Sequence, residues 1–396
     1  MRGLARIVHT LISHPPTPSL ATRSFATGAA LVMEKFGVPE QVLRLNTDVG
    51  PPSPESLGDH DVLINILAVR QPSTIDHHPF LFFSHIYTQH PSTQAPINPS
   101  DINTIEGKYP LHPDLPASPG HEGVGVVAAV GSKVTRLRPG DRCVPIEHSQ
   151  GTWRTHGVFD EHHWYRIPSD LPIAAAANMV INPPTAIRLL EEYVTLEPGD
   201  VIIQTGSTSA VGKYVLQMAT HRGIKSINLI RDRPAEKRAQ VEHELKEMGA
   251  TAVVTPSELP ALLKTWPHNA PKLALDCVAG EAATAAVKAL APGGTLVVYG
   301  SMSREPVTIP SGHLIFKDIR VRGFWLTGGY AKMKEGWRSK ERLVDQVCAL
   351  FRQKVIKPVT VDCVPLTKWE EALHEYRRNH RDAKVMLTNY GDEVCL

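Results

Sequence analysis

The stretch Val201-Ile-Ile-Gln-Thr-Gly-Ser-Thr-Ser-Ala-Val-Gly212, with Arg231-Asp232-Arg233 downstream, constrains this chain more than any other feature. It reads as a strand ending at Gln204, a turn of small residues, and a helix over about 210–218. A second strand, 226–230, then delivers two arginines to its carboxyl end. Such a unit holds a dinucleotide, with pyrophosphate at the helix N-terminus, where free N–H groups point outward, and the adenosine ribose at the end of the second strand. Thr208, Ser209, Ala210 and Val211 are expected at the phosphates. An NAD site usually has an acid at the ribose. Here that place holds Arg231, followed by Asp232 and Arg233. A guanidinium suits a 2′-phosphate, so the expected cofactor is NADPH.

The turn lacks a full G-x-G-x-x-G and would be weak evidence alone. The rhythm after it strengthens the reading. A charged helix (235–248), a strand (252–254), a helix (258–265), a strand (272–277), a helix (281–290), a strand (295–299) and a last strand (319–324) follow in turn. Strands alternating with helices in this way imply an α/β, doubly wound parallel sheet. Tyr299, Gly300, Ser301 and Met302 fall at the end of its fifth strand, where ligands sit in open sheets.

Residues 34–185 differ. They are rich in Gly, Pro and short β runs at 62–67, 123–130 and 142–145, which suggests a β-rich, barrel-like domain. The tail, 325–396, has no further dinucleotide unit. It shows a helix near 367–377 and a strand-like 384–388, and returns to the first domain in the expected layout. With 396 residues there is room for two cores. The net charge of +2 and the lack of an interleaved basic and aromatic stripe argue against a nucleic-acid partner. No apolar run reaches membrane-span length. Five scattered cysteines with no C-x-x-C argue against a disulfide framework. The first 33 residues carry Arg2, Arg6 and Arg23 and no acid, the composition of a mitochondrial transit peptide, with Arg23-Ser24-Phe25 as its processing site. A mitochondrial matrix location follows.

Several segments together resemble the zinc-free mitochondrial trans-2-enoyl-thioester reductases of the medium-chain dehydrogenase/reductase superfamily. They are Ala95-Pro-Ile-Asn-Pro-Ser-Asp-Ile-Asn103, Glu106-Gly-Lys-Tyr109, Ile181-Asn-Pro-Pro-Thr-Ala186, Ile230-Arg-Asp-Arg233, Tyr299-Gly-Ser-Met302 and Arg322-Gly-Phe-Trp325. The resemblance implies a GroES-like catalytic domain over 34–185, a Rossmann domain over 186–324, and a return to the first domain over 325–396. It implies NADPH-dependent reduction of enoyl thioesters of CoA or acyl carrier protein, in a homodimer. It places the proton donor at Tyr109. A phenol is protonated at neutral pH and is a legitimate acid. It puts Asn182 and Lys384 at the cofactor, and Phe324, Trp325 and Leu326 beside the nicotinamide and acyl pocket. Asn182 also reads as an N-cap of the following helix. Lys332, Lys334 and Arg338 are candidates for the phosphates of CoA or a carrier arm.

Gly120-His121-Glu122-Gly123 is a motif of zinc alcohol dehydrogenases. A catalytic zinc needs three protein ligands, and the family's two cysteines fall near Asn98 and Asn182 here. No metal is expected, and the histidines at 156, 162 and 163 read as a solvated loop. The rival reading is a zinc-free NADPH quinone oxidoreductase; a non-catalytic NADPH-binding protein stands further off. One segment fits none of this. Val69–Gln94, 26 residues with four His, four aromatics and no Gly, parts a strand from the loop leading to Tyr109. Val codons begin GT and Gln can be CAG, so an in-frame retained intron is the expectation, with a genuine loop as the alternative.

Overall fold

The computed structural model describes residues 28–66, 94–330, 337–378 and 383–388. The leader and residues 69–93 of the anomalous segment lie outside that set, as do Lys332 and Lys334.

The chain opens with a hairpin of β1 (Gly28–Met33) and β2 (Leu43–Val49), with the short α1 (Pro39–Val42) between them. β3 (Asp61–Asn65) follows, then β4 (Ala95–Pro96) and α2 (Pro99–Ile105). β5 (Gly125–Val130), β6 (Arg142–Pro145), β7 (His156–Asp160) and β8 (Trp164–Arg166) join β3 in an antiparallel sheet of order β7-β3-β5-β6-β8. Trp153 and Trp164 are fully buried and anchor this body's core with Leu31, Ile64 and Ile105. The histidine-bearing stretch from 156 is therefore strand and a 3-10 turn rather than loop, and His156 is buried.

Two helices, α3 (Ile173–Ala177) and α4 (Asn182–Glu191), lead into the parallel sheet. Its elements are β9 (Val201–Gln204), α5 (Ala210–His221), β10 (Lys225–Leu229), α6 (Ala235–Glu247), β11 (Ala252–Val254), α7 (Leu259–Thr265), β12 (Leu273–Asp276), α8 (Gly280–Ala289) and β13 (Thr295–Val298). After α9 (Ser311–Lys317) comes the edge strand β14 (Arg320–Gly323). The order is β11-β10-β9-β12-β13-β14, all parallel. β9 and β12 are buried at every position, as strands covered on both faces must be, which is why their apolar runs show no alternation. Chain order reverses between β9 and β12. That is the switch point where open α/β sheets form a crevice at their carboxyl ends.

Two of the elements that the sequence reading did not name are α9 and a long helix in the tail. α9 carries its apolar residues outward, with Phe316 84% exposed, so no buried stripe marks it. After α10 (Leu326–Tyr330) comes the 16-residue α11 (Trp337–Arg352). Its Val344, Val347, Cys348 and Phe351 pack at helical spacing into the core of the parallel sheet. β15 (Val361–Pro365), α12 (Trp369–Arg377) and β16 (Lys384–Thr388) finish the described chain. β16 pairs antiparallel with β4, which ties the tail to the loop before α2. Cys143, Cys277 and Cys348 are free and buried, while Cys363 is disulfide-bonded, a bridge that scattered spacing did not predict.

Candidate active site

A cavity of about 1200 Å³ opens at the carboxyl ends of the parallel strands and reaches α2, the turn before β7 and the start of β16. Its wall includes Tyr109, Asn182, Thr208, Ser209, Ala210, Val211, Arg231, Tyr299, Gly300, Ser301, Met302, Phe324, Trp325, Leu326 and Lys384. Asp232 and Arg233 do not line it.

The cofactor end is built by the β9–α5 turn. Gly206 sits at φ +61°, and a Cβ there would lie 2.5 Å from Cys277 Sγ. A Cβ on Gly212 would lie 2.7 Å from Gly206 O, so only glycine lets the helix close on its turn. Ser209 caps α5, its Oγ accepting from Gly212 N–H at 3.1 Å. A phosphate-sized anion suits the remaining N–H groups of this turn. Lys213, one turn into α5, is buried, lines the same cavity and bonds Glu244 at 2.6 Å. A cation inside an otherwise apolar helix was a signal that the sequence reading passed over.

The zinc positions of the superfamily hold a polar cluster instead. Glu122 Oε1 accepts from Asn98 Nδ2 at 2.7 Å and from Asn182 Nδ2 at 3.2 Å. Lys384 Nζ donates to Asn98 Oδ1. Two amides stand where thiolates would be needed, and they turn to a carboxylate. These donors do not fit zinc. No group of three metal-binding side chains occurs among the described residues. Asn182 is itself the first residue of α4, with Ile181 as N-cap, so its side chain serves Glu122 rather than capping the helix. Burial pushes the Glu122 carboxyl up to about 7. Burial does the same to Asp101, also to about 7, although Asp101 accepts from Asn98 N–H at 2.7 Å and His121 N–H at 2.9 Å. His121 is buried, with Nε2 3.0 Å from Thr104 Oγ1, and desolvation lowers it to about 4.

Tyr109 follows α2 and sits half-buried on the cavity wall. Its ring stacks on His148 with centroids 5.1 Å apart and planes 2° from parallel. Its hydroxyl accepts from Trp325 Nε1 at 2.8 Å and lies 3.4 Å from Thr327 Oγ1. His148 is a site residue that no local pattern announces. Desolvation lowers it to about 3, so it meets Tyr109 as a neutral ring. Arg338 is exposed at the start of α11 and is absent from the cavity wall.

Fold and site together define a medium-chain dehydrogenase/reductase whose zinc ligands have been replaced. Residues 92–169 match the alcohol dehydrogenase GroES-like domain, and residues 210–341 match the zinc-binding dehydrogenase family. A mitochondrial enoyl-[acyl-carrier-protein] reductase of Xenopus tropicalis is 40% identical over 383 residues, covering 94% of this chain and 97% of the relative. The structure of an Etr1p/NADP/crotonyl-CoA complex superposes with a TM-score of 0.77 at 29% identity, covering 91% of this chain and 99% of that one. A mitochondrial 2-enoyl thioester reductase Etr1p/Etr2p heterodimer from Candida tropicalis gives 0.76 at the same identity and coverage. The chain belongs to the mitochondrial enoyl-[acyl-carrier-protein] reductases.

Proposed function

We infer that this protein reduces the carbon–carbon double bond of trans-2-enoyl thioesters, on CoA or acyl carrier protein, with NADPH, in the fatty-acid synthesis of the mitochondrial matrix. The observation that carries the reading is the Tyr109 hydroxyl, fixed at 2.8 Å by Trp325 on the wall of the cavity that the dinucleotide turn opens into.

NADPH, when bound, supplies the hydride that adds to the β-carbon. The β9–α5 turn with Thr208, Ser209, Ala210 and Val211 receives its phosphates, and Arg231 receives the 2′-phosphate. Asn182 and Lys384, braced by Glu122 and Asn98, face the cofactor beside Tyr299, Gly300, Ser301 and Met302. Phe324, Trp325 and Leu326 flank the nicotinamide and the acyl chain. Negative charge develops on the thioester oxygen, and Tyr109 gives its proton to the α-carbon. An enoyl thioester needs no Lewis acid for this, which agrees with amides standing at the zinc positions.

The test is NADPH oxidation with crotonyl-CoA and longer trans-2-enoyl-CoA substrates, beside a quinone. Turnover of the thioesters, with quinone reduction slow or absent, is expected; the reverse ranking overturns the assignment. Tyr109→Phe keeps the ring and removes the donor. It should lower kcat by about 10²–10⁴-fold with NADPH affinity nearly unchanged, and near-wild-type kcat removes Tyr109 from the mechanism. A homodimer is supported by β14, which ends its sheet among the described residues and is exposed along its length, and by exposed Ile315 and Phe316 in the preceding helix. Sedimentation at about twice the 43.5 kDa monomer mass is expected, and a monomer would overturn it.

A further inference from the structure

Arg188 is a buried arginine in the middle of α4, outside every group assigned above. Its side chain is 8% exposed. A guanidinium that deep persists only if its donors and its faces are engaged. One edge takes Glu192, Nε to Oε1 and Nη2 to Oε2 at 3.0 Å. Nη1 donates to the Leu326 carbonyl at 3.3 Å. The cation also stacks on two rings, with Cζ 5.1 Å from the centroid of Phe324 and 5.4 Å from that of Tyr330.

All three contacts beyond Glu192 fall on one segment, Phe324–Tyr330. That segment is cut to fit. A Cβ on Gly329 would lie 2.6 Å from Arg188 Nη2, and a Cβ on Gly328 would lie 2.0 Å from the Trp325 ring. Two adjacent glycines thus let the turn close on the arginine below and on the indole above. The same segment delivers both groups that touch the Tyr109 hydroxyl, Trp325 Nε1 and Thr327 Oγ1. The indole N–H occupies one lone pair of the phenol oxygen and so restricts where its O–H can point.

We propose that Arg188 is a positioning residue for the reduction: it grips the Phe324–Tyr330 turn and, through Trp325, sets the direction of the Tyr109 hydroxyl. This rests on the reading of Tyr109 as proton donor. The anchor is a planar fork with stackable faces, so Lys at this position keeps the charge and loses the grip.

The experiment is a double-mutant cycle of Arg188→Gln with Tyr109→Phe, read as kcat with crotonyl-CoA and as NADPH affinity by fluorescence titration. Arg188→Gln should lower kcat by about 10- to 100-fold, the scale of a misplaced catalytic group, with NADPH affinity falling by a smaller factor than kcat, because the phosphate-binding turn before α5 is untouched and only the residues beside the nicotinamide shift. In the Tyr109→Phe background it should add little, since the group it positions is gone. Arg188→Lys should not restore the rate. Gly329→Ala guards against a failure of Arg188→Gln to fold: it keeps the buried guanidinium, sets a methyl group against Nη1 and Nη2 that parts arginine from turn, and should show the same loss and the same non-additivity. Near-wild-type kcat in both Arg188→Gln and Gly329→Ala overturns the proposal. So does a loss that repeats in full on top of Tyr109→Phe. Near-wild-type kcat for Tyr109→Phe alone overturns the donor reading, and the proposal with it.

Discussion

Arg231 lies two residues past the end of β10, on the cavity wall, which Asp232 and Arg233 do not line. The proposed 2′-phosphate contact rests first on Arg231, with Arg233 two residues on. Arg231→Ala should weaken NADPH binding by roughly 1.5–3 kcal/mol, the scale of a hydrogen bond to a charged group, and leave NADH binding nearly unchanged. Equal losses for the two nucleotides in calorimetric titration would remove the 2′-phosphate from its role. The place of Arg231 on the cavity wall was legible because the βαβ frame puts the residues after the second strand at that end of the sheet. Tyr109 was legible only through its resemblance to a family; composition around it says no more than a turn. Lys213 was legible in principle, as a cation in the helix that follows the dinucleotide turn. His148 was not: it reaches the cavity by stacking on Tyr109 across 39 positions, and local pattern carries no trace of that.

At the scale of elements, α2 and the turn over residues 120–123 bury two carboxyls and an imidazole against one another. Their pH terms have opposite signs. Burial raises Glu122 from its ordinary 4.5 to about 7, so the folded state holds that proton more tightly than the unfolded chain. Stability from this group therefore falls as pH rises between about 4.5 and about 7, and is level outside that window. His121 runs the other way: lowered from 6.5 to about 4, it makes stability rise with pH across that interval. Asp101, raised likewise to about 7, adds a second falling contribution and His148, lowered to about 3, a second rising one, so the wild-type protein should show a shallow pH dependence of Tm there. Glu122→Gln deletes one falling contribution. Its Tm, measured relative to wild type, should become steadily more favourable from pH 5 to about 7 and then stop changing. A difference independent of pH would mean that Glu122 is ionised throughout. The sequence reading located this turn and noted amides, Asn98 and Asn182, where zinc's cysteines would fall. It missed α11, whose packing face is plain at helical spacing, because a segment after the last expected strand was read as tail.

For the whole molecule, the anomalous segment is judged best from the residues that flank it. Asn65 pairs with Val126 across the β3–β5 ladder. Two positions along that partner strand, Val124 N–H donates to the Gln94 carbonyl at 3.0 Å. In an antiparallel ladder that is the place of residue 67. The chain thus resumes at the strand edge it left, and Ala95 goes on at once to pair with Leu387 in β16. The GroES-like match likewise begins at residue 92. Joining Ala68 to Ala95 leaves one residue to spare, which a bulge absorbs; this strand already shifts register between Leu63 and Ile64. A chain lacking Val69–Gln94 should therefore fold, bind NADPH and reduce crotonyl-CoA at least as well as the full chain. Its Tm should be equal or higher, because a long closed loop adds only entropy to the cost of folding. Loss of folding in the shortened chain would show that the segment contributes structure. Peptide mass spectrometry of the protein from its native source addresses the origin directly. A peptide spanning Leu67-Ala68-Ala95-Pro96 is the expected product of a spliced message, and peptides from within residues 75–94 would establish the segment as a real part of the enzyme.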